Sequence, residues 1–520
     1  MANKIEALKE AKDGLALKAE IARFAEIGWE AIDDDDLQHR LKWLGVFFRK
    51  STPGRFMVRM RIPNGLLSSD QMRVLASVVE KCGEHGVADI TTRQNIQMRG
   101  ILIEDVPEMF DKFRSVGLTS VQSAMDNIRN ITGSPVAGID ANELYDTREL
   151  AIQVQNLLTN NGEGNPAFTN LPRKFNIAIA GCRDNSTHAE INDLAFVPAF
   201  KDESQETFGF NVLVGGFFSS KRIAAAIPLD VWVAPEDVVA LCEALLIVFR
   251  DNGLRENRQK SRLMYLIDEW GIEKFRTEVE KQMGKPLASA AAKDEIEWEK
   301  RDHIGVHKQK QAGLNYVGLQ IPVGRMYAPD MYEFARLAET YGNGDMRLTV
   351  EQNLLITHVS DEKVTALLQE PLLQKFPVEP NNLMRGLVSC TGNQFCPVAI
   401  VETKNRSLAL TKQLSAAYDL PKVVRIHWSG CPNSCAQPQV ADIGFTGCKA
   451  RKDGKVVDGV DIYMGGTVGK DAHLGTCVME KVPCEDLYEV VGKLLVDRFG
   501  AVPKQHGEMI ANSAELVAVG

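Results

Sequence analysis

The sequence of 520 residues predicts an α+β fold that contains two related copies arranged with pseudo-twofold symmetry. Three observations predict this fold. A strand that ends in Ile-Pro-x-Gly and leads into an amphipathic helix occurs twice, a Gln-Asn pair follows each helix, and a longer mixed segment with a Gly-Gly strand follows each pair. Six matches occur in one order at offsets of 249 to 262 residues, so chance is an improbable explanation.

The first repeated element is an alternating strand followed by a helix. Residues 56–65 (FMVRMRIPNG) match residues 315–324 (NYVGLQIPVG), and the first helix begins with a Ser68-x-x-Gln71 capping box. Apolar residues then recur at i, i+3, i+4 and i+7, which predicts a helix with one buried face. These residues are Met72, Leu75, Ala76 and Val79 in the first copy, and Met331, Phe334, Ala335 and Ala338 in the second.

The later elements of each copy mix strands and helices. The matched pairs are residues 91–97 with 349–355, 134–140 with 396–402, 175–196 with 424–445, and 211–217 with 461–467. Because the two copies should face each other, we expect a ligand at their interface. Outside the copies, residues 1–50 are predicted to be mostly helical, and residues 255–310 are predicted to form a charged helical connector.

The composition argues against several classes of protein. The 60 Lys and Arg residues and 69 Asp and Glu residues give a net charge of −9, which argues against nucleic-acid binding. No apolar run reaches the roughly eighteen residues of a transmembrane helix, so no membrane association is expected. The N-terminus (MANKIEALKEAKDG) resembles neither a secretory signal nor a transit peptide. We therefore predict a cytoplasmic protein whose ten cysteines are free thiols or metal ligands.

The duplication separates four cysteines from the rest. They form a C-x5-C pair and a C-x3-C pair in the second copy only: Cys390, Cys396, Cys431 and Cys435. The first copy has Ser134 opposite Cys396 and Ser186 opposite Cys435, and only Cys182 matches a thiol of the set. Only one copy thus carries a complete set of four thiols. This is what a single metal group away from the pseudo-twofold axis between the copies requires.

Four thiolates can bind zinc or an iron–sulfur cluster. Zinc knuckles commonly use C-x2-C or C-x4-C pairs, and the different spacings here favour a cluster, whose iron atoms hold the four sulfurs further apart. Gly392, Gly430 and Pro432 are predicted to form tight turns that aim the sulfurs and bring N–H groups near the cluster. A zinc site and four unligated thiols remain alternatives at this point.

Several motifs together resemble those of the siroheme-containing nitrite and sulfite reductases. The cysteine motifs are CTGNQFC (390–396) and GCPNSC (430–435). The resemblance extends over most of the chain and is strongest to the ferredoxin-dependent nitrite-reducing branch found in cyanobacteria and plants. The other matching stretches are RLKWLG (40–45), GRFMVRMRIPNG (54–65), TTRQNIQMRG (91–100), MDNIRN (125–130), LPRKFNIAIAG (171–181) and HIGVHKQKQ (303–311).

The resemblance implies a duplicated nitrite/sulfite reductase fold with ferredoxin-like half-domains and two larger mixed α/β domains. The implied units are an N-terminal helical segment (1–50), the first half-domain (51–120), the first large domain with the basic site residues (121–300), the second half-domain (301–380) and the second large domain with the cysteines (381–520).

The resemblance also implies the chemistry. Such an enzyme reduces nitrite to ammonium with six electrons from reduced ferredoxin, as part of nitrate assimilation, and acts as a monomer. Its cofactors are siroheme and a [4Fe–4S] cluster bound by Cys390, Cys396, Cys431 and Cys435. By resemblance, Cys435 also bridges to the siroheme iron, whose opposite face is open to substrate.

Basic residues suit a site for nitrite and for the carboxylates of siroheme, because buried negative charge is costly unless it is paired. Strand periodicity places Arg59 and Arg61 on one face, and Lys174 and Asn176 on another, although Arg61 receives no functional role. The resemblance assigns Arg59, Arg129, Lys174 and Asn176 to the substrate anion. It assigns a second set to siroheme, comprising Arg93, Gln94, Asn95, Arg99, Arg173 and Cys435.

Two alternatives accompany this interpretation. The first is a ferredoxin-dependent assimilatory sulfite reductase; by resemblance, sulfite reductases carry a second lysine where this chain has Asn176, which favours nitrite. The second is a non-catalytic protein whose four cysteines bind zinc or a relay cluster. No G-x-G-x-x-G motif follows a strand, so a separate protein donor is expected instead of a pyridine nucleotide, with a basic patch near the cluster to receive it.

Overall fold

A computed structural model describes residues 3–504 of the chain. The N-terminal segment is mostly helical, as predicted, and the first small unit follows it as an antiparallel sheet with two helices. Its elements are α1 (Lys4–Ala11), α2 (Ile21–Ile27), α3 (Asp34–Gln38), β1 (Val46–Phe47), β2 (Phe56–Arg59), β3 (Leu66–Ser68), α4 (Ser69–Lys81), β4 (Val87–Ile90), β5 (Ile96–Ile101) and α5 (Val106–Ser115).

The first large unit packs helices against a mixed five-stranded sheet. Its elements are β6 (Thr132–Gly133), α6 (Arg148–Thr159), β7 (Ile177–Ile179), β8 (Leu194–Phe200), β9 (Phe208–Val214), β10 (Phe217–Phe218), β11 (Ile223–Ala224), β12 (Ile227–Val233), α7 (Val238–Asn252), α8 (Leu263–Trp270) and α9 (Ile272–Met283). Its sheet has the order β12-β9-β8-β7-β6, with parallel pairing from β6 to β8 and antiparallel pairing beyond.

The second small unit repeats the architecture of the first. Its elements are β13 (Gly305–Lys308), β14 (Leu314–Leu319), β15 (Arg325–Met326), α10 (Ala328–Tyr341), β16 (Asp345–Leu348), β17 (Leu354–Ser360), α11 (Asp361–Leu368) and α12 (Leu372–Lys375). The predicted capping box at Ser68 and Gln71 starts α4, and the predicted apolar faces of α4 and α10 are buried. Both predictions are therefore confirmed.

The second large unit repeats the sheet of the first. Its elements are α13 (Asn382–Arg385), β18 (Leu387–Ser389), α14 (Lys404–Ala417), β19 (Tyr418–Asp419), β20 (Ile426–Ser429), β21 (Ile443–Lys452), β22 (Lys455–Met464), β23 (Thr476–Pro483), α15 (Leu487–Phe499) and β24 (Val502–Pro503). The sheet order β18-β20-β21-β22-β23 again has two parallel pairings followed by antiparallel ones. The predicted last domain extends to residue 520, so its end lies outside the described residues.

The two small units exchange edge strands. The first sheet has the order β1-β2-β5-β4-β15, and the second has the order β13-β14-β17-β16-β3. Each sheet therefore ends in a strand from the other copy, with Arg325 opposite Asp89 in one sheet and Leu66 opposite Arg347 in the other. A single hydrophobic core contains residues of both units, including Leu75 of α4. The small units are consequently joined by backbone pairing as well as by packing.

The predicted helical connector is only partly helical. Helices α8 and α9 end at Met283, residues 284–304 contain no helix, and 305–308 form β13. The backbone of this stretch bonds to the first large unit: the N–H of Glu295 donates to the carbonyl of Pro198 at 2.7 Å. The side chain of Glu295 is buried against Arg183. Contacts with the first large unit thus hold residues 284–304 in a non-helical conformation, although their composition favours a helix. Within residues 3–504, no helix is long and apolar enough to cross a membrane.

The repeated Gln-Asn pairs hold the two copies together. The side-chain amide of Gln94 donates to the carbonyls of Gly133 at 2.8 Å and Leu348 at 3.0 Å, the second of which belongs to the other copy. In the matching position, Gln352 donates to the carbonyl of Ile90 at 2.9 Å. The side-chain oxygen of Gln352 accepts a hydrogen bond from the N–H of Ser389, the residue before Cys390. Both glutamines therefore fix strands that lead into the large units.

Gln94→Ala should lower the stability of the protein. The change leaves two buried carbonyls and the N–H of Gly133 without partners, at a cost of roughly 1–3 kcal/mol each in comparable cases. Thermal unfolding followed by circular dichroism should show a lower midpoint for the variant. Gln369→Ala, at an exposed position, is the matched control and should leave the midpoint unchanged. Equal midpoints for Gln94→Ala and wild type would contradict the account.

Candidate functional site

A large cavity lies between the two copies, as the duplication predicts. The empty space within it, open solvent included, is about 1500 Å³. The second copy contributes four thiols to its wall, from Cys390, Cys396, Cys431 and Cys435. The first copy contributes a group of cations and amides, from Arg59, Arg93, Asn95, Arg129, Lys174 and Asn176.

The fold brings both cysteine pairs to one edge of a sheet. Strands β18 and β20 are parallel neighbours, with Ser389 opposite Trp428 near their carboxyl ends. Cys390 directly follows β18, and Cys431 follows β20 after a single glycine. Ligands commonly bind beyond the carboxyl ends of such strands. The two cysteine pairs are therefore 35 residues apart in sequence but lie at a single site in space.

Backbone groups already surround the first thiol. The N–H groups of Gly430 and Gly392 donate to the sulfur of Cys390 at 3.1 and 3.4 Å. The hydroxyl of Thr403 donates to the carbonyl of Cys390 at 2.7 Å. Gly392 has a φ of 68°, and a Cβ there would lie 2.6 Å from the hydroxyl oxygen of Thr403. The predicted glycine turns thus bring N–H groups to a sulfur, an arrangement that tunes iron–sulfur clusters.

Cys435 faces the basic wall. Its side chain lines the cavity, and burial raises the pKa of its thiol while Lys174, Arg59 and Arg93 oppose that rise. The carbonyl of Cys435 accepts a hydrogen bond of 2.9 Å from the hydroxyl of Thr92 in the first copy. This thiol is therefore the member of the set that lies between the two walls.

The arrangement of the thiols fits a cluster better than a single ion. Within residues 3–504, no group of three or more His, Cys, Asp or Glu side chains lies close enough to hold one metal ion. The four thiols instead surround part of a shared cavity, with N–H donors on Cys390. A structural zinc site would draw its ligands together around one centre, whereas a four-iron cluster keeps its sulfurs apart. The donor set and its spread fit a [4Fe–4S] cluster.

The cations on the opposite wall have few protein partners. Arg59 and Arg129 donate only weakly, at 3.4 Å, to the carbonyls of Ser123 and Asn127. Arg93 donates to the side-chain oxygen of Asn192 at 3.2 Å. Burial lowers the pKa of Arg59 and of Arg93 to about 10, which shows how little compensating negative charge surrounds them. A wall of this kind favours an anionic ligand, because buried unpaired charge is costly.

Nearby carboxylates are engaged by other cations. Asp126 forms an ion pair with Arg258 at 2.8 Å, and Asp193 pairs with Arg262 at 2.5 Å. Lys174 forms no ion pair within the described residues, and burial, assisted by Arg262, lowers its pKa well below the ordinary value. An ammonium group with a lowered pKa releases a proton more readily than an ordinary lysine.

Asn176 adds a polar atom to this wall. Its N–H donates to Asp193 at 2.8 Å, which fixes the backbone of the segment. Its side-chain oxygen is buried and has no hydrogen-bond partner. Buried polar atoms are almost always satisfied, so this oxygen points to a ligand in the cavity. The basic wall fits a polar, multiply anionic cofactor and a small anion, while the orphaned oxygen, an acceptor, has room for a donor group in the same cavity.

Three predicted cofactor-binding residues do not line the cavity. The amide of Gln94 is engaged within the fold, as described above. Arg173 lies 3.7 Å from the carboxylate of Asp126. Arg99 forms a buried ion pair with Asp89 and donates to Thr391 at 3.1 Å. Arg61 is buried rather than solvated and donates to four acceptors, so its role is structural.

Three further cations line the cavity that no sequence motif predicted, namely Arg49, Arg262 and Lys404. Arg262 lies in the segment interpreted as a connector, and Lys404 begins α14, where a lysine is usually solvated. The only available signal for Arg49 was its place in a basic stretch before the first repeated strand. Their positions depend on contacts between distant segments, which a local pattern does not contain.

Comparisons with known proteins agree with this geometry. The family model "Nitrite and sulphite reductase 4Fe-4S domain" matches residues 124–287 and 381–497, and "Nitrite/Sulfite reductase ferredoxin-like half domain" matches residues 48–116 and 307–373. A ferredoxin–nitrite reductase of Leptolyngbya laminosa is 64% identical over 503 residues, covering 96% of this chain and 98% of the relative. One from Synechococcus elongatus is 61% identical, covering 97% and 98%. The solved NirA protein of Mycobacterium tuberculosis has 31% identity and a TM-score of 0.87, covering 95% of this chain and 92% of that one.

Proposed function

Because the chain belongs to the nitrite and sulphite reductase family, we propose that it is a ferredoxin-dependent nitrite reductase. It reduces nitrite to ammonium with six electrons, in nitrate assimilation, and uses siroheme and a [4Fe–4S] cluster. The observation that carries the proposal is the cavity between the copies. Four thiols line one wall, and on the other lie four cations that form no ion pair among residues 3–504, namely Arg59, Arg93, Arg129 and Lys174. The proposal includes a monomeric, cytoplasmic enzyme.

The thiols hold the cluster in this proposal. Cys390, Cys396, Cys431 and Cys435 would be its ligands, and Cys435, which faces the basic wall, would also help to hold the siroheme. When bound, the two groups supply the redox chemistry, the cluster passing on electrons and the siroheme iron binding nitrite. The chain fixes Cys435 from both copies through the hydrogen bond from Thr92.

The basic wall binds the two kinds of anion. Arg59, Arg129, Lys174 and Asn176 surround nitrite, while Arg93 and Asn95 contact the carboxylates of siroheme. Cations in a cavity sheltered from bulk water stabilise developing negative charge more strongly than they would in solution. The arginines act by hydrogen bonding, since a guanidinium does not readily release a proton.

Lys174 is the proton donor in this proposal. Burial and neighbouring positive charge lower its pKa, so its ammonium can give a proton to an oxygen of the bound anion and be recharged from solvent. A charged Lys174 also attracts the anion. Nitrite affinity should therefore fall as the pH rises through the pKa of this group, since the charged form is lost above that pKa.

The choice of nitrite over sulfite rests on Asn176. A neutral amide at this position gives the wall one positive charge fewer than a lysine would, and this suits a monoanion better than a dianion. Asn176→Lys should shift the ratio of kcat/KM for nitrite to that for sulfite toward sulfite by about tenfold or more. Asn176→Gln keeps the amide and is the matched control. A ratio that does not move with the lysine would contradict this basis for specificity.

The non-catalytic alternative makes a different prediction about the purified protein. A zinc-binding protein would be colourless, and a relay protein would have cluster absorption without tetrapyrrole bands. We expect anaerobically purified protein to contain four irons per cluster, one further iron as siroheme, and both optical signatures. Zinc in place of iron would overturn the proposed function.

A further inference from the structure

Four charged residues lie beside the C-x5-C loop; three are buried, Arg325 is partly buried, and two of them, Asp89 and Lys404, also line the cavity. Asp89 of β4 is surrounded by three cations: Arg99 of β5, Arg325 of β15 and Lys404 of α14. Lys404 is 3.4 Å from the carboxylate of Asp89, and Arg325 is 3.0 Å from it. Asp89, Arg99 and Lys404 are each at most 3% exposed. We call these four residues the charge island.

The charge island carries an excess of positive charge. Three cations surround one carboxylate, a net charge of +2. Burial would raise the pKa of Asp89, yet the three cations bring it below its ordinary value. Burial lowers the pKa of Lys404 to about 8, so this residue is still mostly charged at neutral pH. The carboxylate of Glu402 also raises the pKa of Arg325. It accepts hydrogen bonds from the N–H groups of Asn405 and Arg406 in the first turn of α14.

The charge island contacts the loop that carries two of the thiols. Arg99 donates to the hydroxyl of Thr391 at 3.1 Å, and Arg325 donates to the side-chain oxygen of Gln394 at 3.0 Å. Both guanidinium groups also lie over the ring of Phe395, at 4.8 and 5.6 Å from its centroid. These three contacted residues lie between Cys390 and Cys396. Lys404 and Cys390 also face the same cavity.

The fold itself does not require this arrangement. In the other small unit, the register pair that corresponds to Arg325 and Asp89 is Leu66 and Arg347. The residue that corresponds to Arg99 there is Thr357. The cation-rich group around a carboxylate therefore lies in the half beside the cysteines and is not repeated at the equivalent position beside the first large unit.

We propose that the charge island sets the reduction potential of the [4Fe–4S] cluster, making the cluster easier to reduce by the electron donor. Reduction adds one negative charge to the cluster, and nearby buried positive charge stabilises the reduced form more than the oxidised form. Net charge and hydrogen bonding around a cluster are the levers by which a protein sets such a potential. The inference rests on the proposed function, since it needs the cluster to be present.

The test changes the charge of the island in both directions. In anaerobic redox titrations of the cofactor-loaded enzyme followed by electron paramagnetic resonance, Lys404→Gln should shift the cluster to a more negative potential and Asp89→Asn to a more positive one. A single charge about 12 Å from the cluster, in a medium of effective dielectric constant about 20, changes the ratio of reduced to oxidised cluster by roughly tenfold, which is about 59 mV for one electron. The double variant, with the original net charge, should return close to wild type.

Structural damage would give a different result. Shifts of the same sign in both single variants, or no shift, would overturn the inference. If Asp89→Asn does not fold, Lys404→Arg is compared with Lys404→Gln: only the neutral variant should move the potential, and equal shifts would overturn the inference. A wild-type protein without a [4Fe–4S] signal would overturn the proposed function, whereas a normal cluster with an unmoved potential would overturn only this inference.

Discussion

Cys435→Ser should reduce nitrite turnover by at least about 100-fold, because in the proposed site this thiol would hold both redox groups. The thiol faces Lys174 and Arg59 across the cavity, and its backbone is held by Thr92 of the other copy. A serine oxygen at this place is a poor ligand for a cluster iron. Optical spectra, electron paramagnetic resonance and ammonium formation should show loss of the cluster and of its coupling to siroheme.

The control for this change is Cys477→Ser, at an exposed thiol in β23 on the far strand of the same sheet. It removes a sulfur atom without touching the cavity, so turnover and spectra should match wild type. Full activity in Cys435→Ser would show that this thiol does not bridge the two groups.

Lys174→Gln should lower kcat for nitrite by about 10²–10⁴-fold, the range found when a positioned proton donor is removed. The pH profile separates this role from a structural one. In wild type, activity should fall as the pH rises through the pKa of Lys174, which burial places well below that of an ordinary lysine. In the variant, this decline should disappear from the profile.

Lys221→Gln is the matched control, since Lys221 is exposed and its loss should change neither kcat nor the pH profile. A Lys174→Gln enzyme with lower activity but the same high-pH decline would assign proton donation to another group. The arginines of the wall could not take this role without a further acid, because they remain protonated.

Much of the fold could be predicted because the sequence contains two related copies of the same elements. Ile-Pro-x-Gly and the apolar spacing after it predicted α4 and α10, and the matched segments predicted the two similar large sheets. The exchanged strands β3 and β15 could not be predicted, because two or three residues carry no periodicity. The non-helical stretch 284–304 was missed since its backbone pairs with distant segments.

Some residues of the candidate site could be predicted from the sequence and others could not. The four cysteines are predicted by their spacing and by the incomplete set in the first copy, where only Cys182 matches, and the structure brings all four to one cavity. Alternation along one segment places Lys174 and Asn176 on one face, and the resemblance assigns both to the anion site. Arg99 shows the limit: the resemblance assigns it to a siroheme carboxylate, whereas in the structure it pairs with Asp89 on the neighbouring strand and is not among the residues that line the cavity. Ion pairs between strands are set by register, which one strand alone does not reveal.

The most direct test of the central claim is a comparison of nitrite and sulfite turnover per siroheme. Anaerobically purified enzyme, driven by reduced viologen, is given each anion under one set of conditions, and ammonium and sulfide are measured. The account predicts much faster ammonium formation from nitrite, with six electrons consumed per ammonium. Faster sulfide formation from sulfite would contradict the proposed substrate, and no turnover of either anion by siroheme-loaded enzyme would contradict the proposed function.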